Sequence, residues 1–442
     1  MGSAAAAGRG ERVPRRLAGR ARSYGRGVLC FLLGLLALAV YGAPREAERG
    51  AEELKSQRAA LDRLLATPAA PRVAPPSLQR AVDDETLDEA TRRALVDLGR
   101  DLFFEPRLSA DGSLACASCH DARLAFTDGR ALASGMHGRS GRRNTPSVLY
   151  TGYLEELFWD GRVRSLEQQA AMPILAPSEM ALPDLDTAIE RLAADYDGRF
   201  RKLFGRAPTP YHLRRALAEF QRSLAFFEAP IDDFLAGDED ALTAEQRAGW
   251  ELFRGRALCG ACHVLGEGYP LATDQQFHNL GVAAREDGFP SLVQRAPRSL
   301  NRIVSLTGLD GRALGTALSG LGRFVVTRRS EDLGAFRTPS LRNVALTAPY
   351  MHDGSMATLR EVVEFYVEGG NPNPHLSEIL TPLELDAQEV DQLVAFLSAL
   401  TDARYEAAAA RALAEQEERH RRGAREGVRA EPGKAPGAAA GR

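Results

Sequence analysis

Residues 116–120 read CASCH and residues 259–263 read CGACH, one five-residue pattern used twice. CxxCH sets two thiols one helical turn apart with an imidazole directly after the second. Such a set can form thioethers with the two vinyl groups of a haem while the His reaches its iron. The same cysteines admit two other readings, a redox dithiol in each pair or one zinc shared by Cys116, Cys119, Cys259 and Cys262. A zinc ribbon rarely spans the 143 residues from His120 to His263, and neither alternative needs a His after both pairs. Two covalently bound haem c groups are therefore expected.

The chain around each motif also repeats. Thr86 and Glu89 form a capping box for a helix to Phe104, with Leu87, Ala94, Leu95, Leu98, Leu102 and Phe103 on one face. Thr243 and Gln246 open a second such helix through Trp250, Leu252 and Phe253, again shortly before the cysteines. Further helices read at 210–227, with Thr209 as N-cap, at 358–368 and at 386–400. Strand-like alternation is scarce. The expected fold class is mainly α: two cytochrome c-like haem domains in tandem, 81–240 and 241–405, with few short strands.

The chain has 442 residues, 44% hydrophobic and 26% charged, enough for two domains and too apolar for broad disorder. Net charge is −3, yet the first 27 residues hold seven Arg against Glu11, so the remainder carries −9. A body of that sign excludes a general binder of nucleic acid. The uncharged stretch 28–40 (VLCFLLGLLALAV) behind the Arg cluster has the layout of a secretory signal and falls short of the roughly 20 residues of a membrane span. Residues 1–43 are thus expected to be a signal peptide, or a signal anchor if uncut, giving a periplasmic protein that is soluble or tethered. Residues 44–66 read as an exposed charged helix leading into a Pro/Ala spacer to about 80, and 406–442 as a disordered charged tail. His212 and His420 are expected at the surface, and His278, His352 and His375 have no ligand role.

With RRNTPSVL at 142–149, FWDGR at 158–162, LEQQAAMPILAPSEM at 166–180 and FRTPSLRNVALTAPYMHDGSMATLREVVEFY at 336–366, the sequence resembles the dihaem bacterial cytochrome c peroxidases. It is equally similar to their MauG-type relatives, which mature tryptophan tryptophylquinone. The likeness runs from about 84 to 402. It implies reduction of hydrogen peroxide at the first haem, with electrons delivered through the second from a small redox protein, a cytochrome c or a cupredoxin. A monomer and a homodimer are both compatible with it.

The resemblance also assigns roles. Glu179 becomes the distal acid/base and Gln169 its companion amide, with Pro173 and Pro177 fixing the loop between them. Trp159 relays electrons between the haems, and His120 and His263 are the proximal ligands. Met172 stands where relatives often have Gly. Fourteen residues after His352 ordinary peroxidases carry a Met that ligates the second haem, and the MauG type carries Tyr; here the position is Tyr366, with Met351 and Met356 as alternative ligands. A phenolate ligand stabilises high-valent iron, which brings in oxidation of a protein side chain as the alternative activity. His137 corresponds to a His that caps the first haem in resting peroxidases, against the plain reading of a surface loop His. A calcium ion is implied on the Asn144 side chain and the main-chain carbonyls of Thr347 and Pro349, oxygen ligands that suit it. A third reading is a dihaem electron carrier without catalysis, which would need neither Glu179 nor Gln169.

Overall fold

A computed structural model describes residues 48–66, 87–266, 268–285, 289–294 and 317–429. The expected leader and the Pro/Ala spacer lie outside the described residues, as does Thr86. Residues Met1–Glu53 form one unit and Leu54–Arg442 another; of the first, 48–53 are described, and they are helical.

The main helices are α1 (48–66), α2 (Glu89–Phe103), α3 (Leu166–Leu175), α4 (Leu185–Phe204), α5 (Pro210–Ser223), α6 (Pro230–Leu235), α7 (Ala244–Arg254), α8 (Leu359–Val367), α9 (Ala387–Ser398) and α10 (Glu406–Arg429). Among the described residues the one sheet is a two-residue antiparallel ladder, Phe277–His278 with Phe336–Arg337. The mainly α expectation holds.

Several helix starts follow from side chains that satisfy orphan amide groups. Asp88 Oδ1 accepts from Thr91 N at 2.8 Å and opens α2, two residues after the expected capping box. Thr243 and Gln246 form the reciprocal box expected for α7. At α5, Thr209 occupies the N-cap position without a side-chain bond, and the helix ends at Ser223 rather than Phe227.

Among the described residues two large hydrophobic cores form, beside a small cluster of Leu318, Leu321, Phe324, Val325 and Leu333. The first gathers α2, α3, α4 and α5 around Leu98, Leu102, Phe103 and Phe220, and the second gathers α7, α8 and α9 around Phe253, Leu359, Val363 and Phe396. Each is organised by one helix crossing. A Cβ on Gly99 of α2 would lie 1.9 Å from the Ala216 carbonyl oxygen of α5, and a Cβ on Gly249 of α7 would lie 1.9 Å from that of Gln392 on α9. Only a residue without a side chain lets these backbones approach so closely. One turn on, Phe103 packs on Phe220 with centroids 5.2 Å apart and Phe253 on Phe396 at 4.9 Å, both steeply inclined. The crossing is written twice in the chain, as GRDLF at 99–103 and GWELF at 249–253.

Three expectations need correction. The segment after 405 is helical to Arg429, and it is anchored: Gln416 is 3% exposed and bonds Leu359 N (2.9 Å), the Tyr350 hydroxyl (3.3 Å) and the Ala345 carbonyl (3.1 Å). Leu413 of the same helix packs against both cores. Helix α1 is not simply exposed, since Leu61 is fully buried in the first core and Gln57 nearly so. His212 is fully buried rather than at the surface; it stacks on Phe204 with centroids 4.1 Å apart and accepts from Arg206 Nε at 3.3 Å.

Gly99→Ala and Gly249→Ala should each destabilise the protein by about 3 kcal/mol through overpacking at the crossing. Gly198→Ala, exposed on α4 with open space around it, should stabilise by about 0.5–1 kcal/mol. Shifts of the unfolding midpoint report all three, and a tolerated alanine at Gly99 or Gly249 would refute the crossing as the organising contact.

Candidate dihaem centre

Each cysteine motif is a single tight turn. His120 N donates to Cys116 O at 3.0 Å and His263 N to Cys259 O at 2.9 Å, so thiols and imidazole project from one short coil. Both imidazoles are then fixed by a backbone carbonyl: Phe126 O lies 2.9 Å from His120 Nδ1, and Ala272 O lies 3.0 Å from His263 Nδ1. A carbonyl only accepts, so Nδ1 carries the proton and Nε2 keeps its lone pair for a metal. Burial holds both His side chains below the ordinary value, which keeps them neutral as ligation requires.

The four motif cysteines are free of disulfides. Among the described residues they do not converge into one metal-holding group, which removes the shared-zinc reading. Burial pushes the thiols of Cys116, Cys119 and Cys259 up to about 12, so they are not the low-lying thiolates of a reactive dithiol. Cys262 does lie near Asp274 and His278, but those two pair with each other at 2.8 Å, and the pair holds His278 protonated, raised to about 10 by Asp274 first.

Around the second motif is a cavity of about 260 Å³, lined by Cys259, Cys262, His263, Tyr366, Leu393 and Leu397 among others. Its walls are largely apolar, and an imidazole, two thiols and a phenol line it, a set that could hold a covalently attached haem. Tyr366 reaches the cavity from α8, whose start is set by Thr358 Oγ1 accepting from Glu361 N at 3.1 Å and by Glu361 accepting from Ala357 N at 2.7 Å. Burial, then the nearby Cys262 and Cys259, raise its phenol. Met351 also lines the cavity, whereas Met356 is packed in the second core with Leu359. His352 is buried against Phe336, rings 3.6 Å apart, and burial drops it to about 3.

Trp159, Asn144, Thr347 and Pro349 line the same cavity. Trp159 Nε1 donates to Asn144 O at 2.9 Å, while the next residue, Asp160, takes Arg143 at 2.7 Å and Arg162 at 3.0 Å. FWDGR is therefore stapled to the RRN segment by two adjacent contacts, and Trp159 cannot swing. Asn144 N donates to His352 O at 2.8 Å, and its side-chain amide donates to Arg130 O at 2.9 Å, which turns its Oδ1 away from that partner.

Near the first motif, Gln169 sits inside α3 rather than in a loop. Pro173 is also helical, and the turn to Glu179 begins only at Ala176. That turn is held from both sides: Glu179 N bonds Ala176 O (2.9 Å), Met180 N bonds Pro173 O (3.1 Å), and Met136 N bonds Glu179 O (2.8 Å). Helix α3 is itself tied to α5 through Glu167, which takes Arg222 at 2.8 Å. Burial raises the Glu179 carboxyl above 4.5, with Arg162 alone pulling against it, and the field of Glu179 in turn reaches Cys116 and Cys119. The Gln169 Oε1 atom is buried without a partner. Of the two groups, Glu179 is the one whose field reaches the CASCH cysteines. His137 is exposed, on a turn with φ +56°.

Fold and sites together define a c-type dihaem oxidoreductase. A family model for the di-haem cytochrome c peroxidases matches residues 93–240. The methylamine utilization protein MauG of Methylorubrum extorquens is 38% identical over 310 residues, 69% of this chain and 77% of that one. A cytochrome-c peroxidase of a Pseudomonas species is 36% identical over 317 residues, again 69% of this chain and 80% of the relative. Among solved structures, a MauG-like protein associated with microbial copper homeostasis superposes with a TM-score of 0.61 at 33% identity, covering 76% of this chain and 99% of that one. The chain belongs to the di-haem cytochrome c peroxidase and MauG family, peroxide-using oxidoreductases with two haem c groups, and it carries two CxxCH motifs.

Holoprotein denatured and treated with a thiol reagent should leave Cys116, Cys119, Cys259 and Cys262 unmodified, with two haems added to the chain mass and no zinc. Modification of one motif pair would mean that this site carries no thioether-bound haem.

Proposed function

We propose that the protein reduces hydrogen peroxide to water with electrons from a small redox protein, Glu179 moving the proton. The observation that carries this reading is a carboxyl raised by burial whose field reaches the CASCH cysteines, together with the buried, unpartnered Gln169 Oε1 on the helix that leads into its turn. Haem iron, when bound, supplies the redox equivalents and an open coordination position. Glu179, as carboxylate, accepts a proton from peroxide and returns it to the departing oxygen, while the Gln169 amide orients the substrate. Both groups are held rigidly, one by α3 and one by its turn, so little reorganisation is needed. An electron carrier needs no such pair.

His120 and His263 serve as proximal ligands. Tyr366 serves as the second ligand of the C-terminal haem, supported by its place in the cavity with His263; Met351 is the remaining competitor. Trp159, clamped and lining that cavity, carries electrons between the sites. Calcium sits on Asn144 Oδ1 and the carbonyls of Thr347 and Pro349, which line one cavity and which accept no backbone hydrogen bond among the described residues. The exposed His137 supports a first haem that is open at rest. Tyr366 also favours a second reading, oxidation of a protein side chain as in the MauG relatives. The Arg-led apolar stretch at 28–40 supports export to the periplasm. No helix among the described residues is long and apolar enough to cross a membrane.

Glu179→Gln should lower peroxide turnover by roughly 10²-fold or more. Wild-type activity should fall as pH drops through the raised Glu179 value, above 4.5, because protonation removes the base; the variant's residual rate should lack that limb. A near-normal rate would remove Glu179 from the mechanism. Tyr366→Phe should alter the spectrum of the second haem alone, and an unchanged spectrum would exclude Tyr366 as its ligand.

A further inference from the structure

The guanidinium of Arg337 is a buried charge without a counter-charge. It sits on the second strand at 7% exposure and lines the cavity with Trp159 and His263. Its side chain touches only neutral oxygens, Thr338 O at 3.2 Å from Nη1 and Phe158 O at 3.4 Å from Nε. Nη2 makes no hydrogen bond among the described residues. The one acidic group whose field reaches it is Glu156, and that carboxylate already takes Arg323 and Arg164, each at 2.8 Å. Neighbouring cations each have a carboxylate partner: Arg143 and Arg162 share Asp160, and Arg342 takes Asp232. Burial without a partner pushes Arg337 down to about 10. An unpaired buried ion is costly, and natural interiors avoid one unless an anion arrives to meet it. Here the open side is the cavity.

We propose that Arg337 holds a propionate carboxylate of the haem attached at Cys259 and Cys262. This rests on the reading that a haem occupies that cavity. A guanidinium suits the task because it stays charged and directs planar donors at a carboxylate. The backbone amide of the same residue donates to Trp159 O at 2.9 Å. One strand residue would therefore fix both the haem edge and the indole beside it, keeping the distance between them constant.

The test uses holoprotein with both haems attached. Redox titration of Arg337→Gln should show the second haem's midpoint potential lowered and the first unchanged, since losing a cation beside the haem carboxylate favours the oxidised state. An unchanged second potential, or equal shifts at both haems, would overturn the proposal. Arg337→Lys keeps the charge and guards against a variant that fails to assemble: the propionate-sensitive Raman bands of the second haem should shift, and unmoved bands would overturn it too. If instead the wild-type protein carried no haem at Cys259 and Cys262, the underlying reading would fail, and chain mass separates that outcome from the others.

Discussion

Two backbone contacts set the frame, α2 on α5 at Gly99 and α7 on α9 at Gly249. Each lets helices cross at a spacing that any side chain would forbid, and each is backed by an inclined pair of Phe rings one turn away. The cysteine turns hang from these crossings. In the second half CGACH begins five residues after Arg254 closes α7, and in the first His120 lies 6.3 Å from the ring of Phe103. Where each motif imidazole sits is thus inherited from helix packing, not from the motif itself.

What the motif cannot supply, peptide groups from elsewhere do. Carbonyls of Phe126 and Ala272 choose the tautomer of the two His side chains, and the Asn144 carbonyl fixes the indole of Trp159. These acceptors belong to backbone that tolerates side-chain change, so orientation is preserved without demanding particular residues. The charged groups are treated differently. Asp160 is fully buried between Arg143 and Arg162, which outweigh the effect of burial and hold its carboxyl low, whereas Glu179 has burial with a single distant opponent and is held high. Two carboxyls less than twenty residues apart in the chain are set to opposite tasks by their surroundings.

Much of this was legible in the chain. The paired CxxCH motifs, the box at Thr243 and Gln246 and the segment ending in Glu179 carry local rules that fix their geometry. Other parts were not, for physical reasons. Asp88 caps its helix because its carboxylate accepts from Thr91 N, a contact set by where the helix starts, which no spacing rule singled out. His212 was expected at the surface, yet its ring is claimed by Phe204 on another helix, a tertiary partner no window shows. The last helix looked like a solvated tail since one Gln and a few Ala and Leu do its docking, and polar residues rarely advertise burial. GRDLF and GWELF were visible all along, but the meaning of their glycines lies in carbonyls more than a hundred residues away.

That last helix has a consequence for how the molecule is made. Gln416 closes hydrogen bonds with Leu359 N, at the start of the helix bearing Tyr366, and with Ala345 O, on the segment leading to Thr347 and Pro349. Both cysteine pairs precede it by more than 150 residues of chain. The chain is therefore made with both cysteine pairs in place before the residue that braces these two segments exists. The start of the Tyr366 helix and the segment before Thr347 are thus tied together only by the last part of the chain to be made.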